Sequence, residues 1–315
     1  MNPVHPVTTP LFLAGPTAVG KSAIALALAE AIGGEIVTVD SMQVYRGLDI
    51  GTAKPTPADC ARVPHHLIDI CNLTEAFDAA QFIRHAQAAI AAITARNQTP
   101  IFCGGTGLYF KAFLEGLGET PATDTQLRAE LEAAPLADLL AELRERDPVA
   151  YEKIDRLNPR RVIRAVEVIR LTGKKFSAQR AEWKKGESNV QGPRSKVIYC
   201  FTRPTQELHS RINIRVDEMF RLGLVAETKQ LLTRGLAANK FALQAIGYRQ
   251  VVEHLRGERG LAETIELVKI KTRQFAKRQL TWFRRHGQCE WLELAPTETA
   301  TAVVARILAA RPPVS

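Results

Sequence analysis

Gly15-Pro16-Thr17-Ala18-Val19-Gly20-Lys21-Ser22 spells G-x-x-x-x-G-K-S between the apolar run Leu11-Phe12-Leu13-Ala14 and a helix-forming stretch that reaches Ile32. That strand–loop–helix setting is what a phosphate-gripping loop requires. Glycines let backbone N–H groups converge on phosphate oxygens, and the start of the helix adds partial positive charge. Lys21 supplies a point charge, and the Ser22 hydroxyl a ligand for magnesium, the expected cofactor. Residues Gly15 to Ser22 are therefore expected to hold a polyphosphate. The loop alone leaves open which polyphosphate it is and what becomes of it.

Further apolar, β-branched runs at Ile36–Val39, Pro100–Cys103, Val197–Phe201 and Trp291–Leu294 read as strands, with Ala-rich helical patterns such as Phe77 to Arg96 between the early ones. This alternation predicts an α/β fold, a parallel sheet of the phosphate-loop type flanked by helices on both faces. From Asp124 to about Lys175 the pattern is helix upon helix, and the Gly- and Pro-containing stretch Lys184 to Lys196 closes it. Residues 121–195 are thus expected to form an all-helical insertion, and residues 1–120 and 196–315 the core.

Of 315 residues, 46% are hydrophobic and 24% charged, ordinary values for a globular chain. No apolar run approaches a membrane span, and Met1 to Pro6 lacks the charged region of a secretory signal. Five scattered cysteines without C-x-x-C pairs read as reduced thiols, so a cytoplasmic chain is expected, with no membrane partner. Nothing in the pattern suggests an obligate dimer, and a monomer is expected. The net charge of +9 is uneven. Residues 1–120 hold 7 Lys/Arg against 10 Asp/Glu, and residues 121–315 hold 35 against 23. A large polyanion engaging the second part of the chain is the natural reading, against the alternative of a merely solubilising surface.

Two features sharpen this. Asp40 ends the second expected strand, and ligands of open parallel sheets bind beyond the carboxyl ends of strands. There it can hold magnesium, orient a nucleophile or act as a general base, or simply close an Asx-type turn. Leu267 to Arg285 carries Lys269, Lys271, Arg273, Lys277, Arg278, Arg284 and Arg285 without an acid. At helical spacing Val268, Phe275 and Trp282 form a narrow apolar stripe, with Ala276 and Phe283 beside it. Such a helix packs one stripe on the core and repels itself unless an anion neutralises the remainder. His65 and His66, being adjacent, suit a packed loop better than a metal.

The phosphate loop, Val39-Asp40-Ser41-Met42-Gln43-Val44-Tyr45, Asp49-Ile50-Gly51-Thr52-Ala53-Lys54-Pro55, Pro64-His65-His66-Leu67-Ile68-Asp69, Gly104-Gly105-Thr106-Gly107-Leu108-Tyr109, Gly247-Tyr248-Arg249-Gln250 and Lys277-Arg278-Gln279-Leu280-Thr281-Trp282-Phe283-Arg284 occur in that order. In these segments the chain resembles the tRNA dimethylallyltransferase family, in the bacterial form without the C-terminal zinc-finger segment of eukaryotic relatives. The resemblance implies that the loop holds dimethylallyl diphosphate and that the five-carbon group passes to N6 of the adenosine immediately 3′ of the anticodon in the tRNA anticodon stem-loop. It implies Asp40 as general base, Arg215 on the diphosphate, and Lys21 and Thr17 as further catalytic residues, with Thr17 and Thr106 lining the channel. It also implies tRNA contacts from Asp40, Ser41, Met42, Gln43, Thr106, Arg128, Arg160, Arg161, Val162, Ile163 and Arg164. Further contacts are implied from Gln244, Ala245, Ile246, Gly247, Tyr248 and Arg249, and from Lys277, Arg278, Gln279, Leu280, Thr281, Trp282, Phe283 and Arg284. Arg211, one helical turn before Arg215, is either its functional neighbour or structural. A kinase of small metabolites, a prenyltransferase of free adenine nucleotides and a non-catalytic RNA binder remain the alternatives. The first two leave the basic helix unexplained, and the third leaves the loop unexplained.

Overall fold

The computed structural model describes residues 9–117, 121, 124–178, 197–286 and 288–310. The expectations for Met1 to Pro6 and for Lys184 to Lys196 lie outside the described residues. The chain separates into two compact units, Met1–Lys111 with Val190–Ser315, and Ala112–Asn189.

In the first unit, β1 (Leu11–Ala14), β2 (Gly34–Val39), β3 (His65–His66), β4 (Thr99–Gly104), β5 (Ile198–Thr202) and β6 (Cys289–Glu293) form one sheet in the order β3-β2-β4-β1-β5-β6. Every pairing is parallel. Strands β1, β2 and β4 are buried at each residue, so they appear in the sequence as continuous apolar runs instead of alternating ones. The short β3 escapes a pattern-based reading. His65 and His66 form a strand, not a packed loop, because they pair with Ile36 and Val37 and because His66 Nε2 lies 2.6 Å from the buried carboxylate of Glu35. Arg96 closes the same carboxylate with two further hydrogen bonds, and the hydrogen bonds from Arg96 and His66 hold the Glu35 carboxyl below its ordinary range despite burial.

Alternation along the strands divides the core into two faces. Leu11, Leu13 and Phe201 pack with helix α1 (Lys21–Ile32) on one side. Helices α2 (Pro57–Arg62) and α3 (Ala79–Ala95) follow β2 and β3, and α4 (Gly107–Glu115) follows β4. On the other face Phe12 meets Phe102 at 5.0 Å between ring centres and Phe110 of α4 at 6.4 Å, while Phe82 of α3 stacks on Tyr109 at 4.6 Å. Helix α3 begins on a capping box in which the Asp78 side chain accepts from the Gln81 N–H and the Gln81 side chain accepts in return.

The second unit contains α5 (Thr125–Ala133), α6 (Leu136–Arg146), α7 (Pro148–Lys153) and α8 (Pro159–Thr172), with no strand among its described residues. Leu131, Leu139, Leu143, Val162, Ile163 and Val166 form its core. Pro159 stands at the first turn of α8, where its missing N–H costs nothing, and the Asn158 side chain caps the helix.

After β5 the chain continues through α9 (Thr205–Arg221), α10 (Leu224–Thr233), α11 (Tyr248–Leu255) and α12 (Leu261–His286), then β6 and α13 (Ala300–Ala309). The 26 residues of α12 span about 39 Å. Val268 and Ala276 join the core that contains Leu11, Leu13 and Phe201, whereas Phe283 meets Phe110 on the opposite face at 5.8 Å. The helix therefore passes across the end of the sheet.

Candidate active site at the carboxyl edge of the sheet

Because all strands run in one direction, their carboxyl ends deliver four segments to one edge: the loop after Ala14, Asp40 after Val39, Gly105-Thr106 after Gly104, and Arg203 after Thr202. Gly104 lies abreast of both Ala14 and Val39 in the register. The chain turns back at β1, which has β4 on one side and β5 on the other, and such a reversal of strand order opens a ligand crevice.

Gly20 caps α1 at φ 113°, a left-handed conformation that glycine adopts without strain, and it offers no side-chain oxygen to the helix. The first N–H groups of α1 therefore remain directed at the loop mouth, where an anion satisfies them. Lys21 Nζ donates to the carbonyl of Pro16 in the same loop at 2.7 Å. Burial pushes the Lys21 ammonium down to about 8; the Arg215 charge pushes the same way, while Cys103 and Asp40 oppose it. Burial also raises the Asp40 carboxyl, and the N–H groups of Met42 and Gln43 and the charge of Lys21 offset part of that. Oδ1 of Asp40 accepts from Met42 at 2.8 Å and from Gln43 at 3.3 Å. An Asx turn is thus present, but it uses one oxygen only.

Arg215 is half-buried and, among the described residues, has no hydrogen bond or ion pair. Burial, then the charge of Arg211, holds its guanidinium below the ordinary value. A desolvated, repelled and unpaired cation is a candidate partner for an anion. Arg211 is different, since its Nε donates to the Ala18 carbonyl at 2.9 Å and so clamps the outside of the loop. Arg203 does the same to the Val19 carbonyl at 2.9 Å. The sequence gives no local hint of this role for Arg203 beyond its position just after β5.

The family model for IPP transferase matches residues 43–286. tRNA dimethylallyltransferase 1 of Trichlorobacter lovleyi is 48% identical over 295 residues, covering 92% of this chain and 95% of the relative. The chain belongs to the IPP transferase family. Its fold is similar to that of the full-length tRNA isopentenylpyrophosphate transferase from Bacillus halodurans, at TM-score 0.68 and 38% identity, with 96% of each chain covered. It is also similar to a eukaryotic dimethylallyltransferase seen acting on tRNA, at TM-score 0.78 and 26% identity, covering 98% of this chain and 81% of that one.

The residues expected to contact tRNA lie in different surroundings. Val162 and Ile163 are buried in the core of the helical unit, and their side chains are packing residues. In the same unit Arg128 and Arg164 both bind the fully buried Glu167, at 3.0 and 2.6 Å; Arg128 thereby ties α5 to α8, and Arg164 joins it from within α8. Arg160 and Arg161 are exposed on α8. Tyr248 is completely buried; its hydroxyl donates to Glu227 at 2.5 Å and accepts from the Gly51 N–H at 3.0 Å, and Glu227 also accepts from Ile50. Ala245 and Gly247 are buried beside it and Ile246 packs on the core, which leaves Gln244 and Arg249 as the exposed residues of that segment. The Gln43 amide donates to the carbonyls of Thr52 and Ala53 and shapes the loop after Asp40. Ser41 N–H donates to Thr106 Oγ1 at 3.3 Å, joining the ends of β2 and β4, and Met42 is half-buried in the same turn.

Along α12 the buried line is Thr264, Val268, Ala276, Gln279 and Phe283; Phe275 and Trp282, expected at the centre of the stripe, are half-buried flanks. Phe283 and Gln279 therefore expose little side-chain surface, and Leu280 packs partly on the core, with Thr281 half-buried after it. Two of the seven cations also have protein partners. Lys269 pairs with Asp217 and Glu266, and Arg273 donates to Asn213. Lys271, Lys277, Arg278, Arg284 and Arg285 are exposed and have no acidic partner among the described residues. Arg278 lies over the Phe275 ring and Arg284 over the Trp291 ring.

Proposed function

We propose that this chain transfers the dimethylallyl group of dimethylallyl diphosphate to N6 of the adenosine immediately 3′ of the anticodon in tRNA, releasing diphosphate, as a cytoplasmic monomer. The observation that carries this reading is the meeting of three groups at the carboxyl edge, where Lys21 lies close enough to feel the charges of both Arg215 and Asp40. Family membership supplies the class of reaction, and the exposed cations of α12 supply a surface for a polyanion.

An exocyclic adenine amine is a weak nucleophile because its lone pair is delocalised into the ring. In the proposed step that lone pair bonds C1 of the dimethylallyl group. The C1–O bond breaks with its electrons going to the diphosphate, and the N6 proton passes to the Asp40 carboxylate. A carboxyl raised by burial is a stronger base once ionised, which suits this transfer. Charge growing on the diphosphate is met by the N–H groups at the start of α1, by Lys21 and by Arg215. Reaching adenine inside a structured loop requires the base to leave its stack.

Ser22, the second residue of α1, would be the protein ligand for magnesium. Among the described residues no cluster of three or more His, Cys, Asp or Glu forms a protein cage, and magnesium bound through substrate phosphates needs none. When bound it would neutralise charge on the diphosphate. No helix among the described residues is long and apolar enough to cross a membrane.

Incubation with labelled dimethylallyl diphosphate, unmodified tRNA and magnesium, followed by nucleoside analysis, tests the proposal. Label on adenosine of the anticodon loop is the expected result. Consumption of ATP without labelled RNA would replace the proposal with a kinase.

A further inference from the structure

Gln279 sits on α12 between exposed cations, yet only 7% of it is accessible. Its Oε1 accepts the Thr17 N–H of the phosphate loop at 2.8 Å, and its Nε2 donates to the Gly105 carbonyl after β4 at 3.0 Å. Gly105 and Thr106 in turn donate both their N–H groups to the carbonyl of Val39, the residue before Asp40. One side-chain amide therefore ties the loop after β1 to the end of β4, and through it to the end of β2. Only a neutral carboxamide presents an acceptor to an N–H and a donor to a carbonyl at this span. The approach is close: a Cβ on Gly105 would stand 2.1 Å from Gln279 Nε2, while its next neighbour outside Gln279, the Gly15 carbonyl, is at 3.4 Å.

We infer that Gln279 is a positioning residue for the prenyl donor. Carried on the RNA-facing helix, it sets the phosphate loop and Asp40 at their working separation and makes no contact with tRNA itself. The inference rests on the prenyl-transfer reading above. Lys277 and Arg278, two residues and one residue earlier on the same helix, bind the polyanion, and Gln279 holds that helix to the donor site. A loop displaced by a fraction of an ångström from the productive geometry loses rate even when the substrate still binds.

Steady-state transfer to tRNA is compared for the wild type, Gln279→Met, Gly105→Ala and the double variant, alongside tRNA affinity by filter binding. Methionine keeps the volume and removes both hydrogen bonds. Gly105→Ala keeps the amide and pushes it aside. Each single variant should lose about 10²-fold in kcat/KM for the donor. Affinity for tRNA should stay within about twofold of wild type, which also reports that the variant is folded. The double variant should be no worse than the poorer single one, since both act through the same amide. Unchanged donor kinetics, a loss confined to tRNA affinity, or losses that multiply in the double variant would each overturn the inference. If Gln279→Met does not fold, Gly105→Ala decides alone: a donor-specific loss supports the inference, and wild-type kinetics overturn it. Failure of the wild type to label tRNA would strike the proposed function itself, and so remains distinct from these outcomes.

Discussion

Asp40 and Lys21 lie close enough at the carboxyl edge to feel one another's charge, with pKa values moved toward neutrality from opposite sides. The consequence is a pH profile with an assigned sign on each limb. Asp40 acts as a base only when ionised, so activity climbs as pH rises through its raised pKa. Lys21 is charged below about 8, so the free enzyme loses donor affinity as pH rises beyond that value. The kcat/KM for dimethylallyl diphosphate should be bell-shaped, and Lys21→Arg should move the alkaline limb upward. An alkaline limb unchanged in that variant would remove Lys21 from the role. Asp40→Asn preserves size and an acceptor for the Met42 and Gln43 N–H groups. It should lower kcat by about 10²–10⁴-fold while tRNA affinity is kept, and single-turnover rates read this directly. Asp40 and Lys21 were legible in the sequence because strand ends and phosphate loops have local signatures. The hold that Arg203, Arg211 and Gln279 have on the loop was not, since they act on it across sequence separations of 184, 193 and 262 residues.

Among the elements, α12 has the most to answer for. Replacing Lys277 and Arg278 together with Ala should weaken tRNA binding and flatten its log–log salt dependence by roughly one unit per lost phosphate contact, with the donor KM unchanged. A salt slope equal to that of the wild type would turn this face of the helix away from RNA. Where α12 crosses the edge it also presses on α4: a Cβ on Gly107 would stand 2.2 Å from the Trp282 ring. Gly107→Ala should therefore cost about 1–3 kcal/mol of stability through overpacking, seen as a lower denaturant midpoint. The helix itself was readable from its charge run and periodicity. Its exact buried line was not, because one helix packing on two faces of a sheet breaks the single stripe that periodicity assumes. The same limit explains Phe275, and it explains β3, whose two residues are a strand only because β2 lies alongside.

At the scale of the whole molecule, charge and chemistry are divided. The acidic first 120 residues hold the phosphate loop and Asp40, and the basic remainder holds Arg215 and the exposed cations of α12. A ligand that bridges the loop and Arg215 joins early and late parts of the chain and should stabilise the folded state. Inorganic diphosphate with magnesium, at a hundredfold its Kd, should add about 2.7 kcal/mol to unfolding. Lys21→Ala should abolish that shift in a thermal melt. The alternation of strands and helices was enough to read the α/β class. The partner of Glu167 was beyond reach, since a buried acid met by Arg128 and Arg164 looks in the sequence like a solvated charge pattern. The bond between Thr17 and Gln279 has one more consequence, for the order of synthesis. A ribosome adding about 5–20 residues per second makes Gln279 roughly 13–50 s after Thr17. Through that interval a nascent chain can carry a phosphate loop and most of its sheet, yet the loop still lacks the amide that holds it. Unfinished chains therefore lack this tie, and the loop gains it only once α12 has been made.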